Sequence, residues 1–86
     1  MKGLVYRLQR AASRVRESTG DMHAVILKLL GDTVEVTVKK NPFSNPVRFL
    51  VLRFPETEEE EQEAKMNMDA ALNCMEGLVS ETMEKP

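Results

Sequence analysis

The sequence predicts an α+β fold, a three-stranded antiparallel sheet with two flanking helices in the order α-β-β-β-α. Three observations carry that prediction. First, the stretch from His23 to Lys40 reads as two strands around Gly31-Asp32, a two-residue connection that hairpins favour because both residue types tolerate positive φ. Pairing about that loop sets Leu29 against Val34, Leu27 against Val36 and Val25 against Val38 on one face. On the other face it sets Lys28 against Glu35, beside Ile26, Thr33 and Thr37. A slip of one residue would send the aliphatic set to the wrong face, so the pattern specifies its own register. Second, Val47 to Phe54 is a further apolar run able to extend the sheet. Third, the segments on either side of this strand region have helical spacing.

From about Leu4 to Glu17 the apolar positions Leu4, Val5, Leu8, Ala11, Ala12 and Val15 form the stripe of an amphipathic helix expected to pack on the sheet. The other side carries Arg7, Arg10 and Arg14, three and four residues apart and therefore on one helix face, with Lys2 and Arg16 nearby. Ser18-Thr19-Gly20-Asp21 ends the helix, Gly20 serving as a left-handed stop. After the hairpin, Asn41-Pro42-Phe43-Ser44-Asn45-Pro46 contains two X-Pro steps. These restrict the preceding residue and remove backbone donors, so the segment is expected to be a loop returning the chain antiparallel.

The third strand lacks clean alternation. One parity shows Val47, Phe49 and Val51, the other Leu50, Leu52 and Phe54, so both faces call for cover. Two helices can shield one face of a three-stranded sheet. The other is expected to carry Ile26 and Leu30 from the hairpin and to be either partly exposed or pressed on another molecule, as exposed apolar patches usually mark an interface. Pro55 ends the strand and Thr57 opens the last helix, with Glu60 three residues on as a capping box and Glu58 to Glu61 suiting the positive end of the helix dipole. The stripe Ala64, Met68, Ala71, Leu72, Met75, Leu78 or Val79, and Thr82 or Met83 holds helical spacing almost to the end. A helix of roughly 25 residues would be about 38 Å long against about 23 Å for a strand of about seven residues. It is therefore expected either to stop near Gly77 or to pack its last turns on a partner. Glu84-Lys85-Pro86 is expected to fray.

The 86 residues form one expected domain, 1–86, in which folding buries only about 60–65% of the unfolded chain's surface and leaves stability thin. With 42% hydrophobic and 30% charged residues the chain is neither disordered by composition nor rich enough in apolar residues for a membrane span. The opening residues lack the apolar stretch and cleavage site of a secretory signal, so a cytoplasmic setting is expected, or a nuclear one in a eukaryote. Cys74 is the single cysteine and can make no internal disulfide. It reads as filler beside the apolar stripe rather than a nucleophile, and His23, the single histidine, reads as a surface residue at a strand start. The glutamates at the last helix's start radiate outward and lack the loop geometry of calcium sites. No phosphate-binding glycine loop or nucleophile elbow occurs. The expectation is a non-enzymatic protein without cofactor or metal.

Charge is distributed unevenly. Residues 1–54 hold ten Lys or Arg and four acids, a net of +6, while residues 55–86 hold two bases and ten acids, a net of −8. Three readings follow. Opposite charges steer the packing of the two helices, within or between chains. Alternatively Arg7, Arg10 and Arg14, with Lys39 and Lys40, contact the phosphates of RNA or DNA, although no aromatic interleaving for stacking is visible in the sequence. Lastly, the acidic helix itself binds a basic partner. The α-β-β-β-α order resembles that of double-stranded RNA-binding domains and of the small Alu-RNA-binding subunits of the signal recognition particle. The first family places lysines where this chain has Glu58 to Glu61, so the likeness is one of element order and assigns no residue.

The sequence therefore points to a small binding or assembly module, expected to be a homodimer or to bind another protein, with nucleic-acid binding as the alternative and no membrane partner. Ile26, Leu30, Phe49, Leu50, Leu52, Met75, Val79 and Met83 are the candidate interface. The methionines of the last helix, mostly core filler, also suit an adaptable docking surface.

Overall fold

The computed structural model describes residues 3–40 and 43–84, with side chains up to residue 81. The side chain of Met83 and residues Lys2, Asn41 and Pro42 lie outside the described residues. The elements are α1 (Leu4–Thr19), β1 (Val25–Leu30), β2 (Thr33–Val38), β3 (Val47–Leu52) and α2 (Glu58–Glu84), giving the expected α+β order with strands arranged β1-β2-β3, both pairs antiparallel.

The hairpin takes the register set by its own pattern, from Val25 opposite Val38 to Leu30 opposite Thr33. Gly31 adopts φ 62° and no residue other than glycine has positive φ, so the connection has positive φ at its first position only, as in a type II′ loop. β3 adds with Val34 opposite Val51, Val36 opposite Phe49 and Val38 opposite Val47. Each face is thus three rows deep. Toward the helices lie Val25-Val38-Val47, Leu27-Val36-Phe49 and Leu29-Val34-Val51; away from them lie Ile26-Thr37-Arg48, Lys28-Glu35-Leu50 and Leu30-Thr33-Leu52.

Both helices cover the same face. Leu4, Leu8, Ala12 and Val15 of α1 and Ala64, Met68, Ala71, Met75, Leu78 and Val79 of α2 form one core with the valines of the sheet. α1 ends as expected, with the Gly20 N–H donating to the Arg16 carbonyl at 2.8 Å and Gly20 at φ 71°. α2 opens on Thr57, whose Oγ1 accepts from the Glu60 N–H at 3.1 Å, while the Glu60 carboxylate accepts from the Glu56 N–H at 3.0 Å. The return bond of the capping box therefore reaches one residue beyond the cap.

α2 runs 27 residues, straight through Gly77. At about 1.5 Å per residue it is about 40 Å long, which sets the long dimension of a molecule measuring 46 × 20 × 20 Å. Of the two expectations for this helix, the stop near Gly77 does not hold. Its overhang continues along α1, where Ala11, Arg14, Met75, Glu76 and Val79 line one crevice, so α1 supplies the cover that the sheet is too short to give. Gly77 is exposed on the opposite side, with nothing within 4 Å of a Cβ placed there. Replacing Gly77 with Ala should raise stability by about 0.5–1 kcal/mol, because a helical glycine costs backbone entropy and no contact opposes the methyl group. Thr57→Ala should lower it by about 1 kcal/mol through loss of the cap. Urea unfolding monitored by circular dichroism measures both.

Candidate binding surfaces

The ladder decides which backbone groups are free. Lys39 N–H donates to Ala24 O at 2.8 Å and Arg53 N–H to Asp32 O at 2.6 Å. Hydrogen-bonded and non-bonded pairs alternate along an antiparallel ladder, so Val25, Leu27 and Leu29 turn their amides and carbonyls to one free edge, and Arg48, Leu50 and Leu52 to the other. The helices close these edges unequally. Asn67 of α2 donates to Leu50 O at 3.0 Å in the middle of the β3 edge, whereas Arg16 of α1 donates to Val25 O at 2.9 Å at the very start of β1. Arg16 Nε is itself buried without a partner.

β1 is the less protected strand because of the path of α1. The helix starts beside Arg53 and Phe54 and ends beside Val25, crossing the sheet diagonally. The far half of β1 lies outside its shadow. Leu29 is 56% exposed although Val34 and Val51, its neighbours in the same row, are fully buried. On the opposite face no described element covers the sheet: Ile26, Leu30 and Leu50 are 48%, 42% and 55% exposed. Leu52 is half-buried beside the first turns of α2, where Thr33, Leu50, Leu52 and Ala64 line a groove lipped by Glu60 and Glu63.

Of the sequence-derived interface residues, the structure brings Ile26, Leu30, Leu50 and Leu52 onto this open face. Met75 and Val79 do not join them. Both are buried between the helices and the sheet, and Phe49 faces the helices and packs against the core, so these three serve the chain's own interior. Their helical and strand spacing was legible, but spacing names the apolar stripe and not which molecule covers it.

Arg7, Arg10 and Arg14 are all exposed along α1 and make no ion pair with a described residue. Lys39 and Lys40 do not extend that row. Lys39 is half-buried, and Lys40 lies beside the turn from Thr19 to Ala24 with its Nζ 4.0 Å from Glu81. This is the one ion pair among the described residues, and both partners are largely exposed, a type that contributes about 0–1 kcal/mol. The helices are joined by apolar packing, and among the described residues no ion pair within 4.0 Å links α1 to α2.

The sequence shows no aromatic interleaving, yet the fold creates some. Tyr6 and Phe54 come together on one groove of about 220 Å³, with Gly3, Leu4, Val5 and Arg53. Arg10 Cζ lies 6.0 Å from the Tyr6 ring centroid and Arg53 Cζ 5.0 Å from that of Phe54. The pairs Tyr6/Arg10 and Arg53/Phe54 were visible as local spacings; their meeting depends on the diagonal of α1.

Among the described residues, no group of three or more His, Cys, Asp or Glu side chains is arranged to hold a metal ion, and no helix is long and apolar enough to cross a membrane. His23 is exposed, its N–H donating to Asp21 Oδ1 at 2.9 Å in a local turn. Cys74 is half-buried; burial pushes its thiol pKa up, and the charge of Lys40 opposes that only in part. A raised pKa leaves less thiolate at neutral pH, and the thiolate is the reactive form. Disulfide-exchange labelling of native Cys74 at pH 8 should accordingly run slower than in the urea-unfolded chain and accelerate with rising pH. The chain matches no protein-family model, no curated protein and no solved structure.

Proposed function

We propose that this chain is a small non-enzymatic binding and assembly module that pairs with a second copy of itself through the open side of its sheet. The carrying observation is the outer face, where Ile26, Leu30 and Leu50 stand about half exposed on a rigid three-stranded platform with no described element over them. Leu30, Leu50 and Leu52 gather around Thr33 at one end of this face, with Ile26 beyond Lys28, and exposed apolar side chains clustered in this way mark interaction sites.

Magnitudes constrain how the copies meet. Three strands at about 4.8 Å spacing and six residues at about 3.3 Å give a face of about 14 × 20 Å, well short of the roughly 800 Å² per partner of a standard interface. The contact therefore extends over the neighbouring half of β1, where Leu29 and the free edge add area, and the dimer is weak. Glu35 sits at the centre of the face, half-buried, with Thr37 Oγ1 donating to its carboxylate at 3.5 Å. A two-fold axis through that point would oppose like charges, so the axis lies to one side.

Light scattering on a sizing column at high micromolar concentration should give the mass of a dimer that dissociates on dilution. Leu30→Lys and Leu50→Lys should each shift it to monomer with the circular dichroism spectrum unchanged. A strict monomer at high concentration would remove the proposal.

A second reading, nucleic-acid binding through α1, is supported by the three arginines standing exposed along one helix and in no ion pair with a described residue.

A further inference from the structure

Exposed aromatic rings scattered singly on a surface need no explanation. Tyr6 and Phe54 are not scattered. They are 61% and 63% exposed, they line the same groove, and each has a guanidinium beside its ring. Arg53 is held by a second contact, its Nη1 donating to the Gly31 carbonyl at 3.4 Å. Leu4 and Val5 give the groove apolar walls, and Gly3, at φ 76°, leaves open space where a side chain would stand. Flat rings over an apolar recess suit a planar aromatic ligand, not a hydrated ion.

Charge decides what that ligand is attached to. No carboxylate lines this groove, while Glu60 and Glu63 line the separate groove between β3 and α2. From Tyr6, the row Arg7, Arg10 and Arg14 leads away along α1, spanning about 10 Å at 1.5 Å per residue. A planar ring joined to a string of negative charges is a nucleotide in a strand. Rings in this position need an unpaired base face, which a duplex does not offer.

We propose that the Tyr6–Phe54 groove stacks a base of single-stranded nucleic acid whose phosphates follow Arg7, Arg10 and Arg14 along α1. The inference rests on the second reading above but adds the aromatic contact, which that reading neither contains nor needs.

Fluorescence anisotropy with a labelled 12-nucleotide single strand, as DNA and as RNA, and with the duplex of the same sequence, tests it at low salt. The single strand should bind more tightly than the duplex, with a log–log salt slope near −2 from about three phosphate contacts. Tyr6→Ala and Phe54→Ala should each weaken it about 5- to 150-fold, Tyr6→Phe should not, and Arg10→Ala with Arg14→Ala should flatten the salt slope. Because these side chains are exposed, circular dichroism should show all variants folded. Equal binding of duplex and single strand, unchanged by the aromatic variants, would overturn the stacking site and leave the phosphate reading standing. No binding of either at low salt would remove both, and equal competition by an acidic peptide would reduce the site to a general anion surface and overturn the proposal.

Discussion

The β1–β2 register is the constraint from which the other features descend. Gly31, by accepting φ 62°, allows a two-residue turn whose twist matches the strands, and Leu29 opposite Val34 then fixes every later pair. From that register follow the aliphatic face that the helices bury and the mixed face that they leave open. The direction of each edge carbonyl follows from it too. β3 inherits the arrangement through Val34 and Val51, and Asn67 can bond Leu50 O only because the ladder turns that carbonyl outward.

The two edges show how such a small domain manages exposed strands. Side chains from the helices above bond one carbonyl at each edge, and polar or charged groups at a free edge discourage uncontrolled pairing. Protection is strongest at β3, where α2 runs alongside, and thins along β1 beyond Val25, with Lys28 the one charge in a strand otherwise made of Val, Ile and Leu. The diagonal of α1 causes this difference. A helix packed directly over β1 would bury Leu29 but would start away from the β3 exit, where Tyr6 and Phe54 line one groove.

The charge pattern gains its meaning from what it does not do. A basic first half and an acidic second half suggest mutual attraction, yet α1 and α2 join through Leu8, Ala12, Val15, Met68, Met75 and Val79. Burial of such side chains contributes about 1.5–3 kcal/mol each for the larger ones, more than exposed ion pairs supply. The charged sides consequently turn to solvent, Arg7 and Arg10 of α1 and Glu58, Glu59 and Glu61 at the start of α2 standing exposed and Arg14 sharing a crevice with a glutamate of α2, Glu76.

The sequence by itself determined the element order, the hairpin register with its two faces, the Thr57 cap and the left-handed stop at Gly20. Each is a local matter, set by loop length, side-chain alternation or a cap within a few residues. The tertiary structure alone decided that Met75 and Val79 belong to the interior, that α2 continues through Gly77, and that Leu29 is uncovered. It also decided that Tyr6 and Phe54 share a groove. These depend on the relative placement of α1 and α2 over the sheet, a packing outcome that periodicity within either helix does not encode, because a stripe states which side is apolar and is silent about what lies against it.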